Sequence, residues 1–192
     1  MTVPIMCKQR SPAVRCSGYM RMRVPWRWAI VLVVILNGAP IVHGESGTGL
    51  HLNSDMTFLT LEGTPVNVSA MRNSVVLLNF WGTWCGPCLE EIPDLIKLSH
   101  RFQSQGLKVI GVTLASGSSD DIQTFTEAHG MDYSVVIGDL DMVKRRFQVM
   151  GFPASVLIDG EGVIRKRYFG PQTEAGLAKD VLPLLSSPLT ND

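Results

Sequence analysis

Cysteine is scarce in this 192-residue chain: there are four in all, and only Cys85 and Cys88 lie beyond residue 44. Two thiols cannot build a four-thiolate zinc site within one chain. Basic residues are also few once the first 44 positions are set aside, 11 against 17 acidic, net −6. A mildly acidic body without a basic stripe argues against nucleic acid as the partner. No internal repeat and no low-complexity tract is present, and a hydrophobic content of 45% excludes a disordered chain and supplies one buried core. The uncharged apolar stretch near the N-terminus, Trp28 to Val42, has 15 residues. A comfortable membrane span needs roughly 20.

What charge there is lies unevenly. Lys8, Arg10, Arg15, Arg21, Arg23 and Arg27 make the first 44 residues purely basic. Behind them comes the apolar run "WAIVLVVIL", then "NGAPIVHGES", with Val42 and Gly44 at −3 and −1 of a cleavage point before Glu45. This is a secretory signal's layout; with Arg27 snorkelling it also serves as a short membrane anchor. Residues 1–44 are therefore expected to be a signal peptide or membrane anchor, 45–57 a leader, and 58–188 the folded domain. A start at Met20 or Met22 gives an n-region of ordinary length and leaves Cys7 and Cys16 untranslated. No cysteine follows the apolar run, which argues against lipoprotein processing. Export places Cys85 and Cys88 where disulfides persist.

The pair sits in "NFWGTWCGPCLEEIP", Asn79 to Pro93. A structural staple, half a metal site and a redox centre all use two nearby thiols. A bridge closing so short a loop constrains the unfolded chain little, which weakens the staple reading. The flanking pattern is more informative. "VVLLNFW", Val75 to Trp81, is a continuous apolar run that suits a buried parallel strand. Pro87 suits a first helical turn; Leu89, Ile92 and Ile96 recur on one side, Leu95, Leu98 and Phe102 widen the stripe, and Gly106 can end it. Pro93 removes one hydrogen bond within that helix. Cys85 thus falls at a helix N-terminus, where unpaired N–H groups and the dipole favour a thiolate, the natural nucleophile. Cys88, three residues on, is placed to attack a mixed disulfide formed by Cys85.

"WCGPC" between an apolar strand and a proline-containing helix resembles the thioredoxin superfamily. The longer stretch "FLTLEGTPVNVSAMRNSVVLLNFWGTWCGPCLEEIPDL" resembles the extracytoplasmic TlpA/ResA-type thiol–disulfide oxidoreductases, and the similarity extends from about Phe58 to Leu185. The resemblance implies an α/β thioredoxin-like three-layer fold over 58–188: a mixed central sheet, helices on both faces, and a TlpA/ResA-type central insertion at Leu114 to Asp139. The chain's own pattern agrees. "LKVIGVTL" and "YSVVIGD" read as strands, and "SSDDIQTFTEAHG" reads as a capped helix ending at Gly130. A short helix follows at Met142 to Phe147. "GFPASVLIDGEGVIRKRYFG" reads as a hairpin with strands Ser155 to Asp159 and Val163 to Phe169, and Glu174 to Leu185 as the last helix.

The resemblance also implies roles. Pro153 matches the cis proline that lies against the cysteine pair, and Phe152 before it offers backbone hydrogen bonds to an extended substrate. Trp84, Gly86 and Pro87 complete the substrate-facing set around the Cys85–Cys88 redox-active disulfide. Ala154 stands where the family often has threonine. Thioredoxin's buried acid is replaced by Asn79, which cannot titrate, and Glu91, three residues after Cys88, matches a glutamate characteristic of the ResA-type group. Burial would raise its pKa toward that of a useful general base. Glu90 is expected to face solvent and Trp81 to be core.

Less is expected of other residues. His51, His100 and His129 show no metal-ligand spacing, and Arg165 to Arg167 alternate as a solvated strand face. The expected function is a periplasmic or otherwise extracytoplasmic disulfide reductant, since Gly86-Pro87 is thioredoxin's own dipeptide and thioredoxin is strongly reducing. Its expected partners are exported protein thiols and disulfides, such as apocytochrome c, and a membrane electron donor of the thiol-transporter type. No cofactor and no metal is expected. The alternatives are a copper(I) metallochaperone, whose cysteines are typically one residue further apart, and a thiol peroxidase, whose expected proline is Leu78 here.

Overall fold

Seven consecutive buried side chains, Val75–Trp81, make the central strand of the molecule. The structure is a computed structural model that describes the backbone of residues 50–51 and the whole of residues 56–186. Residues 1–44, expected to be a signal peptide or anchor, lie outside the described residues. The strands are β1 (Leu50–His51), β2 (Thr57–Thr60), β3 (Pro65–Asn67), β4 (Val75–Trp81), β5 (Leu107–Thr113), β6 (Ser134–Ile137), β7 (Ala154–Ile158) and β8 (Val163–Phe169). The helices are α1 (Gly86–Phe102), α2 (Ser119–Ala128), α3 (Leu140–Phe147) and α4 (Glu174–Ser186). One sheet runs in the order β1-β8-β7-β4-β5-β6-β2-β3.

Register fixes where the chemistry can sit. β4 and β5 are parallel, from Val75↔Leu107 to Trp81↔Thr113, so their carboxyl ends are level. β7 runs antiparallel on the other side of β4, with Ala154 opposite Phe80. The residue before β7, Pro153, is therefore brought to the end of the sheet from which the chain departs toward Cys85.

Alternation along β4 sorts the layers. Val76, Leu78 and Phe80 pack with Val143 and Phe147 of α3. Val75 and Leu77 pack with Leu95, Leu98 and Phe102 of α1 and with Leu177 and Val181 of α4. Asn79 and Trp81 share the α1 face by the same parity. This mixed sheet with helices on both faces is the expected thioredoxin-like architecture.

Local chemistry sets the ends of elements. Ser118 and Asp121 form a reciprocal capping box at the start of α2, and Asp139 accepts from Met142 N at 2.7 Å at the start of α3. Asp159 Oδ1 accepts from Glu161 N and Val163 N, closing the β7–β8 turn.

The sequence reading needs three corrections. The hairpin β2–β3 went unread, because β2 buries little besides Phe58 and β3 begins at a proline. Leu50–His51, within the 45–57 leader, pair with Ile164 and Val163 of β8. The buried row of α1 is Cys88, Glu91, Ile92, Leu95, Leu98, Ser99 and Phe102, with Leu89 and Ile96 only half-buried at its margin. The helix continues through Pro93.

Candidate active site

The turn after β4 aims the cysteines. A Cβ on Gly82 would stand 2.6 Å from the Trp84 ring, so only glycine lets that indole fold back over the turn. There Trp84 Nε1 donates to Leu114 O at 3.2 Å. Thr83 N donates to Ser116 Oγ at 3.1 Å. The segment ahead of the pair is thus pinned to the loop that opens the central insertion.

Cys85 is the N-cap of α1, with Pro87 in the first turn and no acidic residue there to offset the dipole. Its side chain makes no cap hydrogen bond. The two sulfurs form a disulfide, with Cα atoms 5.3 Å apart. Cys88 is buried more deeply, at 1% exposure against 5% for Cys85. Both pack with Trp81, and half-buried Phe125, Met131, Val135 and Phe152 close around them. Phe125 and Met131 follow from the insertion and carried no sequence signal of a place at the site.

The Phe152–Pro153 bond is cis. Gly170 N donates to Pro153 O at 2.9 Å, tying this loop to the end of β8. The Phe152 ring meets the Trp84 ring edge-on at 5.8 Å. Gly86 and Pro87 are exposed on the outer surface of the first turn. Trp84 and Phe152, 68 residues apart, are thereby brought together beside the disulfide.

Glu91 lies on the same helical row as Cys88 and is only 2% exposed, while Glu90 faces solvent. Its carboxylate is held from two sides. Asn79 Nδ2 donates to Oε1 at 2.5 Å, and the backbone N–H of Gln172 donates to Oε2 at 2.9 Å. Burial pushes the Glu91 pKa up, against the opposing pull of the Gln172 and Asn79 donors. An acid whose pKa is raised by burial is a better proton acceptor than an ordinary surface carboxylate, which is what taking one from a thiol requires.

The remaining residues singled out in the sequence have ordinary surroundings. His100 meets Asp132 at the surface. His129 stacks on Phe125 at 4.1 Å with Nδ1 by the Phe125 carbonyl. The side chain of His51 lies outside the described residues. Arg165, Lys166 and Arg167, expected to be simply solvated, engage Asp159, Asp180 and the Phe147 carbonyl respectively.

Residues 52–167 match the AhpC/TSA family. The chain belongs to the AhpC/TSA family. Within this family, it is 32% identical over 120 residues to the thiol-disulfide oxidoreductase ResA of Geobacillus thermodenitrificans, covering 62% of this chain and 68% of that protein. The ResA of Bacillus subtilis is 32% identical over 113 residues, 59% of this chain and 63% of its own length. Among solved structures, a thiol:disulfide interchange protein from Bacteroides sp. superposes with a TM-score of 0.63 at 25% identity, covering 74% of this chain and 93% of that one. This AhpC/TSA member is a thiol–disulfide oxidoreductase with the thioredoxin-like fold.

Proposed function

We propose that the protein is an exported reductant of disulfides in extracytoplasmic clients, apocytochrome c among them, with Cys85 as nucleophile, Cys88 as resolving thiol and Glu91 as the base. The observation that carries this reading is the division of environments: one sulfur at the helix N-terminus, the other buried on the helical row of a doubly held carboxylate.

In the dithiol form, Cys85 thiolate attacks one client sulfur, forming a mixed disulfide and releasing the other client sulfur as a thiolate that takes a proton from water. Cys88 passes its proton to Glu91 and attacks Cys85 Sγ; the second client thiolate leaves and is protonated. The client has then gained two electrons and two protons, and the protein holds the Cys85–Cys88 disulfide. Exchange with a membrane-bound dithiol carrier, which gives up two electrons and two protons and is left as a disulfide, restores the dithiol, and Glu91 returns its proton to solvent. Phe152 and Pro153 would dock an extended client segment beside the pair, with Trp84, Gly86 and Pro87 bordering it.

The export step rests on the basic, apolar, small-residue order of residues 21–44. Among the described residues no helix is long and apolar enough to cross a membrane.

Expression of Cys88→Ser in the native host tests the client. The variant should accumulate dithiothreitol-sensitive adducts with exported proteins bearing C-x-x-C-H, in the membrane or extracytoplasmic fraction, and substitution of Pro153 should reduce the yield. Adducts confined to cytoplasmic proteins would refute export, and adducts with many unrelated secreted proteins would replace the cytochrome reading with a general reductase.

A further inference from the structure

The most exposed apolar side chains lie on or beside the segments that carry Cys85 and Pro153. Among the described residues the three most exposed large ones are Met150 at 81%, Phe169 at 60% and Trp84 at 58%. Trp84 precedes Cys85 and touches Phe152. Met150 lies in the loop leading to Pro153, and Phe169 pairs with Ala154, the residue after it. Scattered exposed apolar residues need no explanation, but grouped ones mark a contact surface.

Charge on one side of this rim is equally uneven. Lys144, Arg145 and Arg146 fill the last turn of α3 and are exposed. None of the three forms an ion pair among the described residues, whereas Arg165 and Lys166 have carboxylate partners. Arg167 Nε donates to Phe147 O, holding the end of α3 against β8. Arg167 lies two residues from Phe169 on the same strand face, about 7 Å along β8. The last turn of α3, which carries these cations, is therefore held next to the Phe169 end of β8, in a body of net charge −6 from residue 45 onward. The acids of α3, Asp139 and Asp141, are at its opposite end.

We propose that this surface docks an acidic client segment, with apolar client side chains on Met150, Phe169 and Trp84 and carboxylates facing Lys144, Arg145 and Arg146. The assignment rests on the exchange reading above and adds to it the chemistry of the client. Three unpaired cations beside a reactive rim raise the encounter rate of acidic partners and disfavour basic ones, by an amount that falls with salt.

The test uses the reduced protein and three substrates: hydroxyethyl disulfide, and two peptides with the same intramolecular disulfide and apolar residues, flanked by glutamates or by lysines. At low ionic strength the acidic peptide should be reduced about tenfold faster than the basic one, a ratio that shrinks in high salt. In K144Q/R145Q/R146Q, which keeps good helix formers and leaves the Arg167 contact in place, the ratio should fall toward one. Equal rates for the two peptides with the native protein would overturn the proposal. So would a preference that survives the triple substitution, or a patch that retains the native protein on anionic lipid vesicles without discriminating peptides. Failure to reduce hydroxyethyl disulfide would instead refute the exchange chemistry, so the two readings fail separately.

Discussion

Asn79 Nδ2 donates both to Glu91 Oε1 and to Ser155 Oγ, so one amide ties β4 to α1 and to β7 beneath the disulfide. The amide orients the carboxylate. In Glu91→Gln the new amide can keep an oxygen toward the fixed Gln172 N–H only by turning its NH2 toward Asn79, and no proton acceptor remains. We expect this variant to slow client release by about 10- to 100-fold at neutral pH, with a flattened pH dependence, and Glu90→Gln to do little. Stopped-flow reduction of a peptide disulfide between pH 5 and 9 measures both. Identical profiles for the two variants would make Glu91 a structural acid.

Exchanging the pair probes position against chemistry. Asn79→Asp alone places two carboxylates in contact, which should destabilise the fold at neutral pH by about 1–3 kcal/mol and less in acid. Asn79→Asp with Glu91→Gln restores one amide and one carboxylate and should recover part of that stability. Urea denaturation at pH 4 and pH 7 separates the cases, and strictly additive losses would show that the two side chains do not act as a pair.

The stability of Glu91 itself carries a sign. Its pKa is raised in the folded state, so the folded protein binds the proton more tightly than the unfolded chain. Stability from this group is complete below the unfolded carboxylate range and is lost as pH rises through the folded value. Relative to Glu91→Gln, the native oxidised protein should therefore lose stability between acid and neutral pH. A difference independent of pH would mean that the carboxyl pKa is not raised.

Packing behind the site offers a test away from the thiols. A Cβ on Gly111 would lie 2.9 Å from Trp81 Nε1 and 3.2 Å from Tyr133 Cε2, both buried rings. Gly111→Ala should cost about 1–3 kcal/mol, read by thermal melting, because the added methyl must push against two buried rings. Gly86→Ala, where nothing lies within 4 Å of the added Cβ, should cost less than 1 kcal/mol.

What the sequence revealed follows from how local each signal is. The apolar run of β4, the first-turn proline and the C-x-x-C spacing are contiguous, so Cys85, Cys88 and their helix were legible. Glu91 was accessible through helical spacing together with the resemblance, and it falls in the buried row 88, 91, 95, 98, 102, to which Leu89 and Ile96 are marginal. Its partners were not. Asn79, Ser155 and Gln172 are separated from their contacts by 12, 76 and 81 residues, and no periodicity links them. Phe125 and Met131 join the Trp81–Cys85–Cys88 cluster only because the insertion folds back onto it. The β2–β3 hairpin stayed unread because it is short and offers Phe58 almost alone as a buried anchor.

The most direct measurement is mass spectrometry of reduced Cys85→Ser and Cys88→Ser proteins after mixing with a client peptide disulfide. The account predicts a stable one-to-one mixed disulfide on Cys85 in Cys88→Ser, and at least about tenfold slower adduct formation in Cys85→Ser, because only Cys85 has the helix terminus to stabilise its thiolate. Adducts forming equally fast on Cys88 and Cys85 would contradict the division of roles between the two thiols.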